Sequence, residues 1–320
     1  MTAPRIGLAL GGGIARGWAH IGVLRRLDAI GLVPDLVCGT SMGALVGGFY
    51  LAGKLDELEA LVRTLTRLKM VRLLDFMVPQ NGIFSGKRMF REMEKLVGEL
   101  HIEDLPKPFA AVAAELATGH EVWLTRGHML DAVRASTSLP GVFKPVKRDG
   151  RWLIDGALVN PVPVSVCRSM GARMVIAVNL SGDTMGGVPM TERRHRNGDG
   201  GQALYDGPER RRADETNLGP AVRRLLSTDQ EEPNFFGTMS SSFAILLDRI
   251  TRSRLAGDPP DVSVSPRVGH IGLFDFHRAD EAIEEGAKAI DRIVPVLIEV
   301  MGVFGMGIQR DMPESAARSA

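Results

Sequence analysis

Residues 37–48 read Val-Cys-Gly-Thr-Ser-Met-Gly-Ala-Leu-Val-Gly-Gly, and this stretch narrows the possible folds more than any other. Leu36 to Cys38 has the apolar character of a buried strand, and Met42 to Ala52 has that of a helix. Ser41 falls in the turn between them. The turn spells G-x-S-x-G, the pattern of a nucleophile elbow. Gly39 and Gly43 have a steric reason to be there, because a sharp strand-to-helix turn leaves no room for a Cβ on either flank. Ser41 then stands at a helix N-terminus, where free N–H groups and the helix dipole favour negative charge. That environment suits a hydroxyl that must become an alkoxide. An ordinary N-cap serine in a glycine-rich turn would look the same, so the rest of the chain has to decide.

Around this turn the chain of 320 residues alternates strands and helices. Ile6–Leu10 predicts a strand, Gly11-Gly12-Gly13 a turn, and residues 14–30 a helix ended by Gly31. The first fifty residues thus form a β-loop-α-β-elbow-α unit with parallel strands. Residues 54–100 read as helical with a break at 79–82 and Ser85 as an N-cap. Their basic residues, Arg63, Arg67, Lys69, Arg72, Lys87, Arg88 and Arg91, read as solvated helix faces, with a lipid-touching lid as the alternative. Phe109–Glu115 and Glu121–Thr125 predict a hairpin. A short helix at 131–138, a strand Trp152–Ile154 ending at Asp155-Gly156, a helix at 164–170 and a strand at 173–179 follow. About residues 181–233 are polar and predict a mobile insertion. A helix at 236–255, a strand at 261–265 and a helix at 279–300 close the domain, so residues 5–300 read as one domain and 301–320 as a tail.

Composition closes off several function classes. A net charge of +1 gives no reason to expect nucleic acid. Cys38 and Cys167 are too few for a disulfide framework, and Cys38 reads as a small core residue. No C-x-x-C or H-E-x-x-H spacing occurs, so neither a metal nor another cofactor is expected. The first apolar run passes straight into glycines, unlike a signal peptide, and no stretch reads as a membrane span; a cytoplasmic location follows as the expectation.

A serine nucleophile needs a base and a site for the oxyanion. The usual Ser–acid–His order fits poorly, since one strand–helix unit alone precedes the elbow. His20, His101, His120, His128, His195, His270 and His277 read as surface or capping residues. Asp155 is the better base: it ends an apolar strand, the end at which α/β folds place their sites, and Gly156 frees space beside it. Burial among Trp152, Leu153, Ile154 and Leu158 would raise its pKa and the helix N-terminus would lower it. The Gly11–Gly13 turn opens a helix, so its amides can converge on one point. A dinucleotide site fails on spacing, because Arg16 stands where G-x-G-x-x-G needs its last glycine, and no G-K-S or G-K-T follows for a P-loop.

The glycine loop with Arg16-Gly17, then G-T-S-M-G, then Asp155-Gly156-Ala157, in that order, resembles the patatin-like phospholipase family. Residues 11–24, Gly-Gly-Gly-Ile-Ala-Arg-Gly-Trp-Ala-His-Ile-Gly-Val-Leu, are similar to its bacterial RssA-type branch, related to the neuropathy target esterase catalytic domain. The similarity covers about residues 5–180 and resumes at 255–261 and 274–279. It implies a three-layer α/β/α fold with a mostly parallel sheet and a Ser–Asp dyad without a catalytic histidine. By motif, Ser41 is the nucleophile and Asp155 the base. The amides of Gly12, Gly13 and Ile14 form the oxyanion hole, and Gly11, Arg16, Gly17, Gly39, Met42, Gly43, Gly156 and Ala157 support them. Many relatives have glycine where this chain has Ile14. A β-branched residue tolerates positive φ badly, which makes that amide's direction the open point. The implied reaction is hydrolysis of a phospholipid or lysophospholipid ester through an acyl-enzyme, with peripheral contact at the inner membrane face. Acyl transfer by the same intermediate, a silent lipid-binding regulator and a nucleotide-binding Rossmann protein are the alternatives.

Overall fold

Ile6–Leu10, the apolar run before the glycines, forms strand β1, and Leu36–Thr40 forms β2 beside it. Gly7 lies opposite Leu36 and Leu10 opposite Gly39, so the two run parallel, as a crossover unit requires. The computed structural model describes residues 5–66, 69, 86–182 and 235–305. The expected break at 79–82, the Ser85 cap, Arg67, Arg72, the insertion from residue 183 and the tail beyond 305 lie outside the described residues.

Between β1 and β2 the expected single helix is split. Ile14–Trp18 is one 3-10 turn, and the α-helix α1 begins only at Ala19 and ends at Ala29. After the elbow, Met42–Leu51 is α2, followed by α3 (Leu55–Arg63) and α4 (Lys87–Val97). Strands β3 (Phe109–Glu115) and β4 (Glu121–Leu124) form the expected hairpin. Helix α5 is Met129–Ser136. Strands β5 (Val146–Arg148) and β6 (Arg151–Asp155) make a second hairpin that the sequence reading had only as its second strand. The Asp149-Gly150 turn has φ 49° and 78°, the two positive values that a tight two-residue hairpin demands. Helix α6 (Val164–Ser169), β7 (Met174–Val178), α7 (Phe235–Gly257), β8 (Val262–Val264) and α8 (Ala279–Val303) complete the described chain.

Among the described residues, eight strands make one mixed sheet, paired β5-β6-β3-β2-β1-β7-β8, with β4 also on β3. Alternation along the strands divides the core in two. Leu8, Leu10, Val37, Phe109, Ala111, Ile176 and Val178 face a large apolar layer under α1, α2 and α8. Ala9, Leu36, Cys38, Ala110, Val112, Val175 and Ala177 face a thinner layer under α6, with Leu255 of α7 against it. The result is three layers, α/β/α. Among the described residues no helix is long and apolar enough to cross a membrane.

The register of β3 decides where the site is. Ala111 and Val112 lie between Gly39 and Thr40 of β2 on one edge and Leu124 and Trp123 of β4 on the other. Ala113 and Ala114 keep β4 on that second edge, at Val122 and Glu121. Their other partners, Asp155 and Ile154 of β6, therefore occupy the edge that β2 has just left. Thr40 sits opposite Val112, and Asp155 opposite Ala113. Two strands entering from opposite ends thus stop against each other on one edge of β3, and their ends carry Ser41 and Asp155.

Candidate active site

The turn after β2 is sharp. Ser41 takes φ 55° and ψ −123°, a conformation a non-glycine residue rarely adopts. Space for the turn comes from its flanks: a Cβ on Gly39 would overlap the backbone of Ala44, and one on Gly43 would overlap the Leu10 carbonyl. Strain of this kind costs about 1–3 kcal/mol and persists only where the surroundings impose it. Here they do. The Ser41 amide donates to Ser136 Oγ at 2.9 Å, and Ser136 Oγ donates to the Val112 carbonyl at 2.5 Å. The Ser41 backbone is thereby tied through α5 to the strand that sets the register.

Ser41 Oγ donates to Asp155 Oδ2 at 2.7 Å. The other carboxylate oxygen, Oδ1, accepts from the Ala157 amide at 2.8 Å, and the Asp155 amide donates to the Ser138 carbonyl at 3.0 Å. Asp155 is 2% exposed and Ser41 5%. Burial pushes the Asp155 pKa from its ordinary 3.8 up to about 6, against the smaller opposing pull of the bonds from Ser41 and Ala157. The residues expected around Asp155 divide by alternation along β6: Leu153 shares its face and is buried, whereas Ile154, also buried, and Trp152, half exposed, lie on the other face. The route to the site differs too. β6 runs antiparallel to β3, so Asp155 does not end a parallel strand.

The glycine loop lies over this pair, for a methyl on Gly12 would stand 3.5 Å from the Ser41 Cβ. Its polar groups are mostly committed. The Gly11 amide donates to Val178 at 3.0 Å, the Gly12 amide to Pro161 at 2.9 Å and the Ala15 amide to Leu273 at 3.1 Å. The Gly12 amide is therefore spoken for, which corrects its expected place among the oxyanion donors. The Gly13 and Ile14 amides meet no acceptor among the described residues. Ile14 takes φ 49° despite its branched Cβ, so the loop keeps the shape a glycine would give it. Arg16 holds a later segment of the chain, with Nε 2.8 Å from the Ile271 carbonyl and a terminal nitrogen 3.1 Å from that of Gly269. Gly17 packs on Met42, the first residue of α2, and a Cβ there would overlap that side chain.

Histidines take other roles. His270 pairs with Glu281 at 2.6 Å, and His101 and His128 lie 3.9 and 3.7 Å from Asp104 and Asp131. His195 lies outside the described residues. His20 is not the surface residue expected: it is fully buried, with Nε2 2.7 Å from the Gly11 carbonyl. Sequence reasoning also missed Ser136. The signal was present as Ser136-Thr137-Ser138, three hydroxyls closing an apolar helix, and all three are buried.

A buried serine–carboxylate pair beneath unoccupied loop amides is equipped for nucleophilic attack on a carbonyl. The family model for patatin-like phospholipase matches residues 8–168, which takes in both the elbow and Asp155. The chain belongs to the patatin-like phospholipase family. That family places it in the lipid-hydrolase class. An uncharacterised NTE family protein of Mycobacterium tuberculosis is 32% identical to this patatin-like chain, over 89% of it and 90% of the relative. The patatin-like phospholipase domain-containing protein ZK370.4 of Caenorhabditis elegans is 37% identical over 56% of the chain, and that stretch is 14% of the worm protein. Patatin-like phospholipase domain-containing protein 7 of Mus musculus shows 35% identity over the same shares.

Proposed function

We propose that this chain is a serine lipid acyl hydrolase of the phospholipase A or lysophospholipase type, working through a Ser41–Asp155 dyad. The observation that carries the reading is the 2.7 Å hydrogen bond from Ser41 Oγ to a carboxylate whose pKa stands near 6. A carboxylate at that value is a stronger base than an exposed one and is still mostly ionised at pH 7.

In this mechanism the ester carbonyl carbon of a phospholipid or lysophospholipid lies above Ser41. Oγ attacks it while its proton passes to Asp155 Oδ2. The carbonyl oxygen becomes an oxyanion that accepts from the Gly13 and Ile14 amides. The intermediate collapses by breaking the bond to the alcohol oxygen, which takes the proton back from Asp155. Acyl-Ser41 remains. Asp155 then removes a proton from water, the hydroxide attacks the acyl carbon, and fatty acid leaves as Ser41 recovers its proton. Oδ1, held by the Ala157 amide, keeps Oδ2 turned towards Ser41 throughout. The lipid is met peripherally, at a membrane surface.

The deciding experiment is hydrolysis of a panel of phospholipids and lysophospholipids, with products weighed by mass spectrometry. Free fatty acid is expected from the wild type. Ser41→Ala and Asp155→Asn are each expected to lose at least about a thousandfold in kcat while keeping the wild-type circular dichroism. Full activity in either variant would refute the dyad, and acyl product on an added alcohol in place of free acid would make the chain a transacylase.

A further inference from the structure

The peptide between Gly11 and Gly12 is held at both ends. Its carbonyl accepts from His20 Nε2 at 2.7 Å, and its N–H donates to the Pro161 carbonyl at 2.9 Å. The next N–H along the chain is that of Gly13, the first of the two amides left without an acceptor. We propose that His20 is a positioning residue for the oxyanion loop: by fixing the Gly11–Gly12 peptide plane it aims the Gly13 and Ile14 amides over Ser41. The inference rests on the serine-hydrolase reading above.

The geometry assigns the imidazole its state. A carbonyl oxygen can only accept, so Nε2 carries the hydrogen. Nδ1 is buried and has no partner, so it holds a bare lone pair. A second proton would be an unpaired N–H, and a charge, in an apolar interior. Burial accordingly lowers the His20 pKa to about 4, with the Gly11 bond opposing it more weakly. His20 therefore stays a neutral, single-donor group wherever Asp155 is ionised. A buried polar side chain at the second residue of α1, with one nitrogen unsatisfied, is a poor choice for filling space alone. Its single bond goes to the loop whose shape is otherwise hard to keep, since Ile14 holds φ 49° there.

Gln and Asn separate the donor from the bulk. The side-chain nitrogen of Gln can stand where Nε2 stands, and that of Asn falls short, nearer the place of Nδ1. On a soluble p-nitrophenyl ester, His20→Asn is expected to lower kcat by about a hundredfold with KM changed less than threefold, because the loss falls on the transition state. His20→Gln is expected to recover at least tenfold of that loss. A trifluoromethyl ketone, which forms the tetrahedral adduct on the serine, should weaken in His20→Asn by the same factor as kcat. Equal activity of the two folded variants, or an adduct as tight in His20→Asn as in the wild type, overturns the proposal. If His20→Asn does not fold, His20→Gln alone decides: kcat within tenfold of wild type supports the role, and any larger loss in the folded protein overturns it. Ser41→Ala is run alongside, since activity surviving there would defeat the dyad itself, whereas an unaffected His20→Asn with Ser41→Ala inactive would defeat the role of His20 alone.

Discussion

Ser41 and Ile14 are two of the three non-glycine residues with positive φ among those described. For Ser41 the strain presents Oγ. For Ile14 it is the cost of keeping the loop's course with a branched side chain. Ile14→Gly should relieve part of that cost, offset by the greater freedom of glycine in the unfolded chain. The expected result is a gain of up to about 1 kcal/mol in urea unfolding with kcat retained, because the amide itself is unchanged. In the proposed mechanism Asp155 governs the acid side of activity. Its pKa near 6 makes it a base only when ionised, so kcat/KM should fall tenfold per pH unit below about pH 6 and be level above it. A rate profile still level at pH 5 would remove Asp155 from the role of base.

At the scale of elements, the elbow and its glycines could be read in the sequence because they obey a local rule: strand, steric turn, helix. Gly43→Ala should cost about 3 kcal/mol or more, since its methyl would meet the Leu10 carbonyl rather than a side chain able to move. Loss of the cooperative thermal transition at the wild-type midpoint is the check. Asp155 was legible as a strand end, but the direction of its strand was not, because pairing partners about forty residues away in sequence decide it. β5 escaped notice at three residues, although its turn carried the strongest short hairpin signal in Asp149-Gly150. The bond from Gly12 to Pro161 could not be foreseen either: it joins two loops through backbone atoms, which no side chain marks.

At the scale of the whole molecule, two buried titratable groups pull stability in opposite directions with pH. Asp155 titrates near 6 when folded and 3.8 when not, so the folded state holds the extra proton between these values. Its ionisation then costs about 3 kcal/mol once the pH is above 6, a cost relieved as pH falls towards 3.8. His20 titrates near 4 when folded and 6.5 when not. The unfolded state takes up the proton first, and about 3 kcal/mol is lost as pH falls from 6.5 to 4. Between pH 4 and 6 the two nearly cancel. Asp155→Asn removes one of them, so it should be about 3 kcal/mol more stable than wild type at pH 7. That advantage should vanish towards pH 4, with the variant losing stability by about one proton's worth of slope where the wild type is level. Denaturant unfolding from pH 4 to 7 measures both. A proposed dyad that opposes its own fold at neutral pH is the expected trade of stability for function.

The shared edge of β3 has a further consequence, for how such a protein can fail. Side chains alternate along a strand, so displacing β6 by one residue would turn Asp155 away from Ser41 and put Ile154 in its place. The pairing has no intermediate setting in which the carboxylate is slightly misaligned. Damage to the β5–β6 turn, as in Gly150→Val, should therefore divide the molecules into competent and dead populations. Titration with a fluorophosphonate would then count fewer reactive serines, while each serine that still reacts turns over at the wild-type rate.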